Sequence, residues 1–310
     1  MAKKLLFLLL ISLFLLVNCG VKEGWQTSTI LVFDTLCELR IFSSSSLLKS
    51  AEKEIHNLFS EVESHFAPGS DDLSSSMVIR LYQRAKEVHQ DSGGCFDITV
   101  APLSQAWGFL SKNYVVPSPE HIRSLLTKIG MEKIKEENRV LTLLPGMKLD
   151  WGGIAKGLAI DLASQALREM GIARGFINAG GDLYCWGTNP ENEPWKVGIK
   201  HPRKKGYLGV LSISQLGAAT TGDYQRYFMR NGIRYHHVFN PRTGYPSQGK
   251  QSVTVCGPET LLCDALSTAL FVCEKPEKIL NKYPDYGAII VDAGGNLSYA
   301  GKMYVFQPLE

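Results

Sequence analysis

Apolar residues recur along this chain at two periods, and the switches between them mark its elements. Ile30 to Phe42 alternates as a strand does, with Asp34 as a turn or bulge inside it. Ser43 to Ser46 supplies N-cap candidates, and Leu47, Leu48, Ala51, Ile55, Leu58, Phe59 and Val62 then recur at helical spacing through Glu63. Residues 67–76 read as a loop, and a second helix is predicted through His89. Pro117 to Gly130 predicts a loop and a short helix capped by Ser118, and Arg139 to Leu144 a strand ended by Pro145-Gly146. Gly152 to Gly171 reads as a glycine turn opening a helix that carries Ile154, Leu158, Leu162, Ala166 and Met170 and stops at Gly171. Further strands are predicted at 174–178, 195–200, 207–214, 233–239, 251–256, 287–292 and 297–305, and a strongly apolar helix at 261–274. Short strands mixed with helices, without a regular βαβ repeat, predict an α+β fold. No repeat or low-complexity linker follows residue 30, so one mature domain is expected over 30–310.

The first residues follow another logic. Lys3 and Lys4 precede an apolar run from Leu5 to Val17, broken only by Ser12. That run is shorter than the roughly 20 residues a membrane-spanning helix needs, so residues 1–18 read as a signal peptide. It ends in Leu16-Val17-Asn18-Cys19-Gly20, which resembles a bacterial lipobox with Cys19 as the lipid-bearing residue. Residues 19–29 would then be a tether, and the protein an exported lipoprotein on the periplasmic face of the cell membrane. No later segment reaches 18 consecutive apolar residues, so the lipid is the expected membrane contact.

Without residues 1–18 the chain carries 31 basic and 30 acidic residues. Such a balance gives no electrostatic reason to expect nucleic acid as a partner. Six cysteines remain after Cys19, none in a C-x-x-C pair and most in apolar surroundings. Export permits a disulfide, but buried free thiols are the expectation.

Four clusters carry candidate chemistry. In Leu149-Asp150-Trp151-Gly152-Gly153-Ile154-Ala155-Lys156-Gly157, paired glycines open a helix whose free N–H groups favour an anion such as phosphate. Spacing alone fits an ordinary glycine turn as well as a ligand loop. Asn178-Ala179-Gly180-Gly181-Asp182 suits a tight turn. In the third cluster, Thr221-Gly222-Asp223-Tyr224 precedes His236-His237-Val238-Phe239-Asn240-Pro241-Arg242-Thr243-Gly244-Tyr245-Pro246. Adjacent histidines on a strand point to opposite faces, so at most one faces a site. Finally, Asp264 and Thr268 lie four apart on the apolar helix and share one face. A carboxylate and a hydroxyl suit Mg²⁺, and an acid in Leu261-Leu262-Cys263-Asp264-Ala265-Leu266 needs a metal or a partner.

Together the clusters resemble the FAD:protein FMN transferase (ApbE) family. The matching elements are D-x-G-x-I-A-K-G at 150–157, N-x-G-G-D at 178–182, G-D-Y-x-R-Y-F at 222–228, H-H-x-x-N-P-x-T-G-x-P at 236–246 and D-A-x-S-T-A-L-F-V at 264–272. Upstream, G-G-x-F-D-I-T-V-x-P-L at 93–103 and Trp107-Gly108-Phe109 also match. The resemblance implies a T-fold-like architecture. It implies Mg²⁺ held by the Asp264 carboxylate, the Thr268 hydroxyl and the main-chain carbonyl of Gly153. It implies FAD contacts from Asp150, Lys156 and the segment Cys95-Phe96-Asp97, with Phe33, Phe66 and Phe239 lining a flavin pocket. Asn240 stands where the family's motif carries Asp, and Phe66 where Tyr is frequent.

The implied reaction transfers FMN from FAD to a Thr or Ser hydroxyl of an exported flavoprotein, such as a redox-pump subunit, with AMP leaving. Asp264 and His237 are the catalytic candidates, with His236 as the rival base. Water as nucleophile would make the same site an FAD pyrophosphatase, and loss of turnover would leave a flavin-binding lipoprotein.

Overall fold

A computed structural model describes residues 23–67, 70 and 72–309. The expected signal segment and Cys19 lie outside the described residues. The alternating stretch at 30–42 is two strands. β1 (Gly24–Val32) and β2 (Thr35–Ser43) pair antiparallel through a two-residue turn at Phe33-Asp34. Both turn residues are left-handed, with φ of +47° and +53°, as a type I′ hairpin requires. A bulky residue is uncommon there, and the Phe33 ring is held edge-on to Phe59 at 5.5 Å. β1 starts at Gly24, inside the stretch expected as a tether.

Helix α1 (Ser45–Phe66) starts where the serine run stops, with the Ser44 hydroxyl accepting from Leu47 N at 3.2 Å. Its apolar stripe buries Ala51, Ile55, Phe59, Val62 and Phe66. Then follow α2 (Ser76–Asp91), α3 (Ala155–Glu169), β3 (Gly175–Ala179), β4 (Asp182–Trp186), β5 (Leu216–Gly222) and β6 (Lys250–Gly257). Helix α4 (Thr260–Val272), β7 (Gly287–Asp292) and β8 (Leu297–Gly301) complete the main layer. The eight strands stand in chain order across one sheet, and each neighbouring pair is antiparallel. A mixed α+β architecture results.

Period-two alternation sorts the side chains to the two faces. On β4, Tyr184 and Trp186 join the large core under the helices, while Leu183 and Cys185 face the other way. That second face is covered by a three-stranded sheet of 195–200, 207–213 and 305–308. The expected strand at 297–305 is therefore divided: β8 ends at Gly301 and the chain changes sheets. The expected strand at 233–239 ends at His236. A third cluster, built on Leu103, Trp107, Phe109, Ile122, Leu125, Ile129 and Phe239, carries the loop that follows the histidines.

Two features fix α4. Gly157 on α3 lies so close to it that an added Cβ would sit 2.5 Å from Thr260 O and 2.6 Å from Leu261 Cα. Only glycine allows that approach. Gly157→Ala is therefore expected to cost about 1–3 kcal/mol through overpacking, read as a lower midpoint in urea unfolding. The second is a disulfide between Cys95 and Cys273, the C-cap of α4. It corrects the expectation of six free thiols, since of those six only Cys37, Cys185, Cys256 and Cys263 are buried and free. The partners are 178 residues apart, so no local spacing marks them. Replacing both by serine should remove about 2–5 kcal/mol of stability, measured by denaturant titration under oxidising conditions.

Candidate active site

The close contact of α3 and α4 brings the first and last sequence clusters together. Asp264 is buried, one turn into α4, and its Oδ2 accepts from Gly157 N at 3.2 Å. Burial raises its pKa, opposed by the Lys156 charge and that N–H. Asp161, one turn further along α3, accepts from Thr260 N at 2.9 Å and Leu261 N at 2.8 Å. It thus caps the α4 N-terminus from the neighbouring helix. Burial lifts its carboxyl to about 6, against the pull of those N–H groups. Asp161 escaped the sequence reading, although an acid four residues after Gly157 on a packed helix was a usable signal.

The opposite end of the same contact is polar and open. Asp264 Oδ1 takes no hydrogen bond among the described residues and is not sealed from solvent. Thr268, a turn later, is half-buried, and Gly153 lies against it: a Cβ there would be 3.1 Å from Thr268 Oγ1 and 3.4 Å from Phe96 Cε2. One free carboxylate oxygen, one hydroxyl and side-chain-free backbone form a hard oxygen donor set that fits Mg²⁺ and leaves positions for phosphate and water. Among the described residues no three His, Cys, Asp or Glu gather as a metal cluster.

Lys156 stands on the first turn of α3, ion-paired with Asp182 from the glycine turn at 178–182. That turn joins β3 to β4, with Asn178 Oδ1 accepting from Gly181 N at 2.9 Å. The Lys156 charge acts to lower the pKa of both Asp264 and His237.

The two histidines separate as strand alternation requires. His236 is buried; its Nε2 donates to Ser247 O at 2.6 Å and its Nδ1 accepts from Val238 N at 3.2 Å. Both ring nitrogens are occupied, so it has no lone pair for chemistry. His237 is half-buried. Its Nδ1 donates to Arg226 O at 3.2 Å, and its Nε2 lone pair takes no hydrogen bond among the described residues. Desolvation, then the Arg226 charge, then His236 and Lys156 hold its pKa down at about 3.

Other expected contacts have different settings. Asp150 is half-buried, with Oδ1 accepting from Gly152 N at 3.0 Å and Oδ2 from Ser104 Oγ at 2.9 Å. It shapes the glycine turn and retains open lone pairs. Asp97 is turned inward: Oδ1 accepts from Thr99 N at 2.8 Å and from its hydroxyl at 2.5 Å, and Oδ2 from Met131 N at 3.3 Å. Cys95 is committed to the disulfide, so within 95–97 it is the buried Phe96 that reaches Gly153. Phe33, Phe66 and Phe239 do not meet. Phe66 packs on Trp151 at 5.1 Å, Phe33 on Phe59, and Phe239 on Trp107 and Phe109 at 6.0 and 5.8 Å.

Several contacts explain why distant motifs occur together. Arg242 Nη2 donates to Gly93 O at 2.6 Å, and Trp107 Nε1 to Gly244 O at 3.1 Å. Asn240 Oδ1 accepts from Arg242 N at 2.9 Å, so the amide closes the turn that an aspartate would close. Asp223 is held by Arg203 at 2.7 and 2.5 Å, a partner 20 residues away that no motif announced.

The sequence pattern of the ApbE family matches residues 33–290. A FAD:protein FMN transferase of Treponema pallidum is 28% identical over 299 residues, covering 84% of this chain and 83% of that one. One from Klebsiella pneumoniae is 32% identical over 245 residues, 76% of each chain. With the Haemophilus influenzae enzyme, 32% identical over 204 residues, the match spans 62% of this chain and 59% of that protein's length. The fold is similar to that of the Thermotoga maritima ApbE protein, with a TM-score of 0.82, 29% identity and coverage of 89% of this chain and 97% of that one. It is also similar to the flavinyl transferase ApbE of Pseudomonas stutzeri, with a TM-score of 0.78, 26% identity and coverage of 90% and 94%. The family pattern, the relatives and the shared fold agree: the chain belongs to the ApbE family.

Proposed function

We propose that this protein is a Mg²⁺-dependent FAD:protein FMN transferase that attaches FMN through a phosphoester to a Thr or Ser of an exported flavoprotein, releasing AMP. The observation that carries it is the buried Asp264 carboxylate, with Oδ1 unpaired among the described residues, beside Thr268 and the bare backbone of Gly153. A buried charge is costly unless a ligand uses it. Asp264, Thr268 and Gly153 would hold Mg²⁺, which when bound neutralises charge on the pyrophosphate oxygens. Along the glycine turn and the first turn of α3, Gly153 N and Lys156 N take no hydrogen bond among the described residues and would face the phosphates. Lys156 adds a positive charge there. His237 Nε2 takes the proton of the acceptor hydroxyl as its oxygen bonds to the phosphorus next to riboflavin and the bond to AMP breaks. Cys19 carries the lipid, and the domain acts on the periplasmic face of the membrane.

The test incubates the full chain, purified in detergent, with FAD and Mg²⁺, with and without a Thr-containing acceptor peptide. The products followed are AMP, free FMN and peptide mass. A peptide heavier by one FMN, absent without Mg²⁺, is the expected result. Equal AMP and free FMN with or without acceptor would replace transfer by FAD hydrolysis, and intact FAD in both tubes would leave a flavin binder.

A further inference from the structure

Thr268 does not stand alone in its site. Thr221 lies on β5, and Ala219 two residues before it packs in the core under the helices, so alternation turns Thr221 toward α4. Its Oγ1 is 3.1 Å from Thr268 Oγ1 and 2.7 Å from Ser267 Oγ. Ser267 Oγ in turn is 2.9 Å from the main-chain oxygen of Asp264. Ser267 is fully buried and Thr221 nearly so, which keeps water from competing for their protons.

Three hydroxyls bring three protons to three hydrogen bonds, and the chain ends on a carbonyl, which can only accept. One arrangement alone makes all three bonds. Ser267 donates to Asp264 O, Thr221 then donates to Ser267, and Thr268 donates to Thr221. The Thr268 proton is thereby turned into the protein, and its lone pairs face the side where Gly153 and Asp264 Oδ1 lie.

We propose that Thr221 and Ser267 are positioning residues that hold the Thr268 hydroxyl as an electron-pair donor toward the cation. This rests on the metal reading above. A hydroxyl free to rotate presents its proton to a cation for part of the time and must be reoriented on binding; the relay does this in advance. The same relay ties the metal-facing side of α4 to β5. The G-D-Y motif at 222–224 follows Thr221 directly, so the relay links that strand end to the metal site. Groups of this kind typically change metal affinity about 10–100-fold when removed.

Two substitutions at one position separate hydroxyl from shape. Thr221→Val keeps the outline and loses the relay; Thr221→Ser keeps the relay and loses a methyl group. Metal-stripped full chain in detergent is titrated with Mn²⁺, with the free ion counted by electron paramagnetic resonance. FAD binding is followed in EDTA by flavin fluorescence. Thr221→Val should raise the Mn²⁺ midpoint on the order of tenfold with metal-free FAD binding unchanged, while Thr221→Ser restores the wild-type midpoint. Ser267→Ala should weaken Mn²⁺ binding less, because Thr221 still offers an acceptor. Equal midpoints for wild type and Thr221→Val would overturn the relay, as would an equal loss in Thr221→Ser. If wild type itself takes no Mn²⁺ that Asp264→Ala removes, the metal reading fails and the relay with it.

Discussion

Asp264→Asn is expected to lower FMN transfer by roughly a thousandfold or more while leaving the fold intact. The size follows from the several kcal/mol a correctly held divalent cation contributes when charge builds on phosphate oxygens, at about 1.4 kcal/mol per tenfold. The intact fold follows from the geometry. Asparagine still offers an oxygen to Gly157 N, the carboxylate's hydrogen-bond partner in the protein. The charge itself does not support the apo fold. Burial raises the Asp264 pKa, so the ionised form is less favourable folded than unfolded. Its penalty is present at neutral pH and fades as pH falls below the folded-state value. Without metal, the asparagine variant should therefore melt no lower than wild type at pH 7, and Mg²⁺ should protect wild type alone. Scanning calorimetry in EDTA and in Mg²⁺, beside an AMP-release assay, checks both halves. Undiminished transfer would remove Asp264 from the reaction, and a large drop in the EDTA melting point would make it structural.

Asp264 was visible in the sequence because an acid inside an apolar helical run contradicts its surroundings. His237 was visible for a similar reason: alternation forbids two neighbouring histidines from sharing a site, and the fold gives His236 a saturated set of bonds. The three-part Asp264, Thr268 and Gly153 grouping came from the family resemblance, and the fold brings those residues side by side. Features made by long-range pairing were not legible. The hairpin at Phe33-Asp34 lacks the Asn-Gly or Asp-Gly signal of a type I′ turn, so two strands read as one. β5, Leu-Gly-Ala-Ala-Thr-Thr-Gly, alternates too weakly to declare itself, and the Thr221 relay on it was hidden as well. Cys95 and Cys273, Arg203 and Asp223, and Asp161 and the α4 N-terminus are all partners that only the folded chain introduces. The three phenylalanines are set by partners the sequence does not announce: each ring packs against other aromatic rings, Phe33 on Phe59, Phe66 on Trp151 and Phe239 on Trp107.

His237→Ala should lower transfer about 10²–10⁴-fold, the usual contribution of a positioned base, with FAD still bound. The pH profile is the sharper test. Enclosure, Arg226 and Lys156 hold the His237 pKa at about 3, against 6.5 for the unperturbed side chain. In the free protein the imidazole is thus neutral throughout the working range, with Nε2 available. His237 should therefore contribute no inflection near 6.5 to the kcat/KM profile. A base of such low pKa accepts protons poorly, but a pyrophosphate beside Lys156 and Arg226 offsets the two charges that depress it. The acid limb of kcat, which reports the complex, should therefore lie at higher pH than that of kcat/KM. Stability carries the same signature. Between about pH 3 and 6.5 the unfolded chain binds a proton at this position that the folded one does not, so the group's contribution is present above 6.5 and lost as pH falls. His237→Ala should remove that part of the acid destabilisation. An inflection near 6.5 in wild-type kcat/KM that vanishes in His237→Ala would show an ordinary, solvated histidine, and unchanged transfer in the variant would take His237 out of the mechanism.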